Sequence, residues 1–243
     1  MLEVNDLHVT YGGAVRALRG VSLTVPERSV VAVLGSNAAG KTTMMDVITG
    51  KTRPDQGRVL YGDDVDLTRL DEPAIASLGI GRKFQKPTVF EPHTVWDNLL
   101  LSLKADRRPW FALRARHSAA ERDRIEEILH TVRLTEHRGR RAGDLSHGQK
   151  QWLEIGMVLA QDPRLLLVDE PVAGMTDAET EQTAELLREI NRARSVVVVE
   201  HDMAFVRALG VRVTVLHEGS VLSEGTLDHV SADPRVVEVY LGR

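Results

Sequence analysis

The sequence predicts an α/β fold, in which parallel strands form a buried core sheet and helices connect them. Unbroken apolar runs are typical of parallel strands covered on both faces, and three such runs occur at Val30–Leu34, Leu165–Val168 and Val196–Val199. Helical patterns lie between these runs, and alternating strands and helices favour a parallel sheet. With 243 residues, of which 42% are apolar, the chain is long enough to bury a substantial core.

Two other segments have a different pattern, in which apolar and polar residues alternate. Val21–Val25 and Val211–Val215 place an apolar side chain at every second position. This period is typical of a strand that has one face covered and the other in water. We therefore expect both segments to be strands with one buried face.

The middle of the chain has helical patterns and no strand signals. Apolar residues follow i, i+3, i+4, i+7 spacing from Ile125 to Val132, as one buried face of a helix requires. Ser118 and Glu121 precede that face at the spacing of a capping box, which marks a helix start. The stretch from about 94 to 160 is therefore predicted to be a helical subdomain inserted into the sheet.

Composition argues against several classes of protein. The formal net charge of −4 disfavours a protein whose main task is to coat nucleic acid, because such proteins usually have a basic surface. The chain has no Cys, which excludes disulfides, thiolate metal sites and cysteine nucleophiles. Its longest aliphatic run, Val30–Leu34, is far shorter than the roughly 20 residues of a spanning helix, so any membrane role is expected to come through partners.

The first functional motif follows the strand at Val30–Leu34. Residues 35–43 fit the pattern G-x-x-x-x-G-K-[ST] and lead into an apolar helix. Glycines let the backbone bend so that its N–H groups converge on phosphate oxygens, while a lysine neutralises them and a hydroxyl holds Mg²⁺. The predicted nucleotide-binding residues are Gly35, Ser36, Asn37, Ala38, Ala39, Gly40, Lys41, Thr42 and Thr43. This motif alone fits GTPases, small-molecule kinases, helicases and transport ATPases.

An acidic pair follows the apolar run at Leu165–Val168. Asp169 is predicted to hold the Mg²⁺ shell, directly or through water. Glu170 would then lie beside the γ-phosphate, where a base can activate water. The pair favours an enzyme that hydrolyses a nucleoside triphosphate.

The third motif selects among these classes. The segment Leu145-Ser-His-Gly-Gln149 opens an apolar helix between the phosphate loop and the acidic strand. By this motif, its order and its spacing, the chain resembles the ABC ATPases, whose signature is usually written LSGGQ. Ser146 is also a favoured helix N-cap. The resemblance implies that Ser146, Gly148 and Gln149 contact an ATP that is held by a second subunit.

Other positions of the ABC family are present as well. Gln85 matches the glutamine that reaches the Mg²⁺ and attacking-water region and links it to the transmembrane partner. His201 matches the switch histidine that contacts the γ-phosphate, and Tyr11 matches the aromatic residue that stacks on adenine. The chain also departs from the family pattern: Met175-Thr176 replaces the usual Leu-Asp, Ala38 replaces a usual glycine, and Ser36 stands where proline is frequent. If position 38 has a left-handed backbone, alanine there costs roughly 1–2 kcal/mol.

The resemblance covers essentially the whole chain. It implies a P-loop NTPase fold of ABC type over residues 1–243, with a mixed core sheet, an antiparallel β subdomain and the inserted helical subdomain. It also implies an ATPase with ATP and Mg²⁺ as cofactors. Glu170, His201 and Gln85 would be catalytic, whereas Thr42, Gln85 and Asp169 would hold the metal.

A membrane-bound assembly is the further implication of this resemblance. Two such subunits meet head to tail around ATP, as a homodimer or with a paralogue, and act on transmembrane permease subunits at the cytoplasmic face of the membrane. A solute-binding protein is an indirect partner, and nucleic acid is not expected to be one. Four motifs, at residues 81–87, 145–154, 170–176 and 215–219, look like the branched-chain amino acid type and most like its urea-importer ATPase. The expected solute is therefore urea, with a branched-chain amino acid as the alternative.

Other classes fit less well. A non-transport ABC ATPase of DNA repair would need a long heptad insertion, but the interval between Gln85 and Leu145 is short. A small-molecule kinase needs no signature helix, and a GTPase would have an Asn-Lys-x-Asp motif, which the sequence lacks. A nucleotide-bound scaffold would not need Glu170 and His201. The basic stretch from 104 to 116 is either a contact with lipid or permease or a solvated connector.

Overall fold

The computed structural model describes residues 1–84, 88–103 and 118–241, with side chains up to Tyr240. Within these residues the strands are β1 Leu2–Tyr11, β2 Val15–Val25, β3 Val30–Gly35, β4 Gln56–Tyr61, β5 Val65–Asp66, β6 Ile80–Lys83, β7 Leu165–Asp169, β8 Ser195–Glu200, β9 Arg212–His217 and β10 Ser220–Gly225. The α-helices are α1 Lys41–Ile48, α2 Glu72–Ser77, α3 Val95–Ser102, α4 Ala119–Thr131, α5 His147–Leu159, α6 Asp177–Asn191, α7 Met203–Leu209, α8 Leu227–Ala232 and α9 Pro234–Leu241. Short 3₁₀ helices lie at Leu67–Arg69, Thr135–His137 and Ala142–Asp144.

The strands form two sheets. A four-stranded antiparallel sheet has the order β2-β1-β4-β5, and a six-stranded sheet has the order β10-β9-β3-β8-β7-β6. In the second sheet the neighbours from β9 to β6 run parallel, and β10 pairs antiparallel with β9 at one edge. This is the predicted α/β architecture, a mixed core sheet beside an antiparallel β subdomain.

The core sheet lies between two hydrophobic cores. Alternate residues of β3, β7 and β8 point to opposite faces, as the period of a strand requires. One face, which includes Val33 and Leu167, packs against α1 and the antiparallel sheet. The other face, which includes Leu34 and Val168, packs against α6, α7 and the helical subdomain. Every residue of β3, β7 and β8 is buried, so the prediction made from the three apolar runs is confirmed.

The two alternating segments have different outcomes. In β2 the residues Val21, Leu23 and Val25 are buried while their neighbours face water, as predicted. The prediction of one covered face is wrong for β9, because Thr214 is 1% exposed between buried valines. The reason is topological: β9 lies between β10 and β3 in the interior of the sheet, and both of its faces are covered.

The helical subdomain consists of α3, α4 and α5 in the described residues between 94 and 160, and these exact limits remain a prediction. Each helix begins with a capping box, including the one predicted at Ser118 and Glu121. Gly156 on α5 allows close packing, because a Cβ there would lie 3.1 Å from Leu99 Cδ2 and 3.2 Å from Ile128 Cγ2. Helix α5 also packs against β6 of the core sheet, and it carries the signature segment at its N-terminus.

Candidate functional site

The phosphate-loop residues lie between the end of β3 and the start of α1, as the motif predicts. Gly35 ends β3, and a Cβ there would lie 2.8 Å from Ala39 Cβ and 2.9 Å from Leu216 O. Gly40 caps α1 with φ 102°, and a Cβ there would lie 2.7 Å from Ala17 O. Glycine is required at both positions because the backbone packs closer to its neighbours than any side chain permits.

Ala38 has a left-handed backbone, with φ 63°. This is the left-handed backbone for which alanine in place of glycine is expected to be strained. A left-handed alanine brings its Cβ close to the following carbonyl, at a cost of roughly 1–2 kcal/mol. The loop thus keeps the glycine-like conformation at position 38 at the expense of some stability.

Lys41 is buried at the start of α1, with 6% exposure. Its ammonium donates hydrogen bonds to the carbonyls of Gly35 and Ser36, the latter at 3.1 Å. Burial lowers the pKa of Lys41, whereas the nearby carboxylates of Glu170, Asp169 and Glu200 act in the opposite direction. The lysine therefore lies within electrostatic reach of the acidic groups at the ends of two other strands.

Those acidic groups lie together because β3, β8 and β7 are neighbours and run parallel. Asp169 is the last residue of β7, and Glu170 follows it with φ 45° and an N–H that donates to Val199 O at 2.9 Å. His201 follows β8, and its Nδ1 lies 3.6 Å from Glu170 Oε1. The predicted base and the predicted switch histidine are thus adjacent, beside the lysine of the phosphate loop.

Glu200, just before the predicted switch histidine His201, is a buried carboxylate that the sequence did not suggest. Its side chain is 1% exposed and accepts the N–H groups of His201 at 2.9 Å, Asp202 at 3.3 Å and Val172 at 3.3 Å. Burial is the main influence on this group and raises the pKa of Glu200. The carboxylate ties the turn that carries His201 to the loop that follows Glu170.

Asp169 is held by an arginine from the neighbouring strand β6. Arg82 Nη2 lies 3.3 Å from Asp169 Oδ2, and Arg82 Nη1 lies 2.6 Å from Asp46 Oδ1 on α1. The Arg82 side chain is 4% exposed and its guanidinium lies 4.8 Å from the centroid of the Phe84 ring. Burial raises the pKa of Asp169, and the guanidinium opposes that rise. Arg82 therefore links the phosphate-loop helix to the end of the acidic strand.

The remaining predicted phosphate-loop residues present polar groups at the surface. Ser36, Asn37 and Thr42 are exposed, and Thr43 is half-buried. Thr42 Oγ1 and the Asp169 carboxylate are oxygen donors, which is the ligand type that suits Mg²⁺. In the described part of the chain, no three His, Asp or Glu side chains are grouped so that they could hold a metal ion.

Tyr11 ends β1 and is 44% exposed. Its hydroxyl lies 3.4 Å from Thr52 Oγ1, just beyond α1. The side chain is thus partly exposed beside the residues that follow the phosphate-loop helix, and adenine stacking on it stays a prediction.

The signature segment opens α5 as predicted. Ser146 Oγ accepts the Gln149 N–H at 3.2 Å, and Gln149 Oε1 accepts the Ser146 N–H at 3.0 Å. Ser146 Oγ also donates to Glu179 Oε1 at 3.3 Å, and a Cβ on Gly148 would lie 2.5 Å from the same Oε1. Gln149 Nε2 lies 2.9 Å from His137 Nε2, so both polar atoms of this side chain have partners within the chain.

The structure does not bring the signature to the phosphate loop. Among the described residues, no hydrogen bond or ion pair joins 145–149 to 35–43, and the signature contacts α6 and residues 173–174 instead. Gln85 and the basic stretch 104–116 lie outside the described residues.

Sequence reasoning missed four charged groups around the site: Arg82, Glu200, and the pair formed by Lys83 and Glu154. Lys83 and Glu154 are 2% and 3% exposed, and Lys83 Nζ lies 3.7 Å from Glu154 Oε2. No local pattern distinguishes these residues from solvated charges. The partners lie far along the chain, so the sequence alone does not identify them.

Comparison with known proteins places these features in a family. The profile described as "ABC transporter" matches residues 18–173, and the profile described as "Branched-chain amino acid ATP-binding cassette transporter" matches residues 220–243. The chain is 34% identical over 251 residues to the high-affinity branched-chain amino acid transport ATP-binding protein BraF of Pseudomonas aeruginosa. That match covers 100% of this chain and 98% of BraF.

Solved structures agree with the sequence comparison. The ADP conformation of MJ1267, an ATP-binding cassette of an ABC transporter, has a TM-score of 0.87 and 28% identity and covers 100% of this chain and 99% of its own. A dimeric post-hydrolysis state of the ATP-binding cassette MJ0796, bound to ADP and Pi, has a TM-score of 0.78 and 28% identity. It covers 93% of this chain and 99% of its own.

Proposed function

This chain belongs to the ABC transporter family of ATP-binding proteins, and from that premise we propose that its ATP hydrolysis powers uptake of a branched-chain amino acid through a membrane permease. The chain is an ABC-type ATPase. One observation carries the proposal for its active site: Lys41, Glu170 and His201 follow the parallel neighbouring strands β3, β7 and β8 at the carboxyl end of the core sheet, where His201 Nδ1 lies 3.6 Å from Glu170 Oε1.

ATP binding is assigned to the phosphate loop and Tyr11. The loop N–H groups and the N-terminus of α1 face the phosphates, Lys41 neutralises them and Tyr11 stacks on adenine. Magnesium, when bound, neutralises charge on phosphate oxygens, and Thr42 and Asp169 offer the oxygen ligands that it prefers. Gln85 is proposed as a further ligand on the family resemblance. Both polar atoms of the Gln149 side chain already have partners in the chain, so we propose that Gln149 stabilises the N-terminal turn of α5.

Hydrolysis needs a base beside the γ-phosphate, and Glu170 fits that role. Its carboxylate accepts a proton from water while the water oxygen attacks phosphorus and the bond to ADP breaks. His201, 3.6 Å from Glu170, is proposed to donate a hydrogen bond to the γ-phosphate. The side chain of Glu170 is 12% exposed, so bulk water has restricted access to the base.

A second ATPase subunit is proposed to complete each site. Ser146 and Gly148 lie at the N-terminus of α5, where backbone N–H groups and the helix dipole favour an anion. Because these residues do not contact the phosphate loop of their own chain, we propose that they meet the γ-phosphate held by the partner. The dimeric cassette MJ0796 bound to ADP and Pi supports a pair of subunits, either identical or paralogous.

The permease is proposed to dock beside the Gln85 segment, on the surface from 85 to 92. In the described part of this surface Phe90 is 49% exposed. Phe84, the residue just before this surface in the sequence, is 45% exposed. Among the residues that the structure describes, no helix has the length and apolarity needed to cross a membrane. From the family resemblance we propose that permease subunits hold the chain at the cytoplasmic face of the membrane. A solute-binding protein is proposed to act on this chain only indirectly, through the permease.

The proposed solute rests on the comparisons with known proteins. BraF and the profile matched at 220–243 are both described by branched-chain amino acid transport, which favours the alternative solute over urea. Urea stays the second candidate because of the motifs at 81–87, 145–154, 170–176 and 215–219.

Uptake into vesicles tests this proposal. Permease and solute-binding protein that co-purify with this chain are reconstituted with it, and ATP-driven uptake of leucine and of urea is measured. We expect leucine uptake, and none with Glu170→Gln in place of the wild type. Uptake of urea alone would refute the proposed solute. Uptake by vesicles that hold only this chain would refute the proposal that a permease is needed. Stimulation of phosphate release by DNA would favour the nucleic-acid alternative.

A further inference from the structure

His147 stands in the signature segment at the third position, where the ABC family usually has glycine. It is the first residue of α5. The helix does not need its side chain for capping, because Ser146 and Gln149 already form the capping box. The imidazole is exposed, and its Nε2 lies 3.4 Å from Gln151 Nε2 one turn further along the same helix.

The imidazole contacts the loop that follows Glu170. His147 Nε2 lies 2.9 Å from the carbonyl oxygen of Ala173. A carbonyl oxygen only accepts, so Nε2 carries the hydrogen and donates it. The ring also lies against Gly174, where a Cβ would be 3.4 Å from His147 Cδ2.

The contacted loop is directly connected to the proposed base. Ala173 N–H donates to the Glu170 carbonyl at 3.5 Å, and Met175 N–H donates to the Val172 carbonyl at 3.1 Å. At the other end, the Val172 N–H is held by Glu200, the carboxylate that also holds the His201 turn. A displacement of Ala173 therefore acts on the turn that positions Glu170.

Other contacts of α5 in this region go to helix α6. Ser146 Oγ contacts Glu179, and Trp152 Nε1 donates to Thr183 Oγ1 at 2.9 Å. Among the described residues, His147 is the residue of α5 that makes a direct hydrogen bond to residues 170–175. This side chain thus gives the signature a link to the catalytic loop that a glycine would lack.

We propose that His147 is a positioning residue that couples the two ATP sites of the dimer, an inference that rests on the head-to-tail arrangement proposed above. In that arrangement the signature contacts the partner's ATP, whereas Glu170 acts on the ATP of its own phosphate loop. The hydrogen bond to Ala173 makes the two segments shift together. Binding of ATP at one site therefore biases the position of the base at the other.

The test compares three variants at this position. His147→Gly restores the residue usual in the family and removes the donor, and His147→Leu keeps bulk without a donor. His147→Gln is the matched control, because its amide can donate over a similar reach. The rate of phosphate release by the assembled ATPase pair is measured against ATP concentration for each variant.

The wild type is expected to have a Hill coefficient above 1, because two coupled sites allow values up to about 2. His147→Gly and His147→Leu should lower it, with the coupling between sites reduced roughly 2- to 10-fold, the effect of one hydrogen bond on an equilibrium. His147→Gln should keep the wild-type coefficient.

An unchanged coefficient in His147→Gly, or equal losses in His147→Leu and His147→Gln, would overturn the proposed coupling. A wild-type coefficient of 1 would overturn it as well. These outcomes differ from failure of the proposed function, which would be shown by Glu170→Gln forming no ATP-dependent dimer.

Discussion

The Lys83–Glu154 pair offers the sharpest test of the energetics around the site. Both side chains are buried, and Lys83 Nζ lies 3.7 Å from Glu154 Oε2. Glu154 Oε1 also accepts the Thr88 N–H, and Lys83 Nζ donates to the Phe84 carbonyl at 3.2 Å. The pair therefore connects the signature helix to residues on both sides of the Gln85 segment.

Burial and attraction oppose each other in this pair. At an effective dielectric constant of about 20, two charges near 4 Å apart attract by about 4 kcal/mol. Burial nonetheless lowers the pKa of Lys83 and raises the pKa of Glu154, and in each group it outweighs the attraction of the partner. We therefore expect the charged pair to contribute little more to the free energy of unfolding than two neutral side chains would.

Single and double substitutions separate these two effects. Lys83→Met leaves Glu154 without its cation, and Glu154→Gln leaves Lys83 without its anion, so each is expected to lower the free energy of unfolding by about 3 kcal/mol or more. The double variant leaves no unpaired buried charge and keeps an acceptor for the Thr88 N–H. We expect it to be more stable than either single variant.

Urea denaturation followed by circular dichroism measures these differences, with a constant m-value as the check that the denatured state is unchanged. pH gives a second readout, because a carboxyl whose pKa is raised in the folded state is stabilised in its protonated form. The defect of Lys83→Met should therefore shrink as the pH falls towards the pKa of the Glu154 carboxyl. Single variants that cost less than about 1 kcal/mol, or a double variant as unstable as the sum of the singles, would refute the reasoning.

Three further predictions concern the site itself. Glu170→Gln should lose steady-state hydrolysis by about 10²-fold or more while ATP with Mg²⁺ traps a dimer in size-exclusion chromatography, whereas Lys41→Ala should form none. Ala38→Gly should raise the free energy of unfolding by roughly 0.5–1 kcal/mol, since relief of the left-handed strain exceeds the entropy that glycine adds to the unfolded chain; no gain in a denaturation series would contradict this. Arg82→Met should cost about 3 kcal/mol or more in the same measurement, because it leaves Asp169 without its guanidinium partner and Asp46 with the exposed Lys51, whose Nζ lies 3.7 Å away. Adding Asp46→Asn should recover part of that loss.

Much of the fold and the site is predictable because the signals are local. The strands at Val30–Leu34 and Leu165–Val168 are apolar over their full length, and the capping box at Ser118 depends on residues three apart. The phosphate loop is one continuous segment whose glycines are required by its own backbone and close neighbours. Asp169, Glu170 and His201 stand at the carboxyl ends of predicted parallel strands, so the pattern also predicts that they meet at that end of the sheet.

The tertiary structure decided what the environment of each charge would be. A lysine at 83 or a glutamate at 154 is, in sequence, indistinguishable from a solvated residue, and only packing shows that the two are buried against each other. The burial of Val213–Leu216 on both faces of β9 depends on its place in the strand order, which its alternating pattern does not contain. The contact between His147 and Ala173 likewise requires α5 and β7 to have their final positions. The sequence by itself determined the segments that bind and cleave a nucleotide, because those depend on neighbours along the chain; the links between them depend on neighbours in space, which only the folded chain brings together.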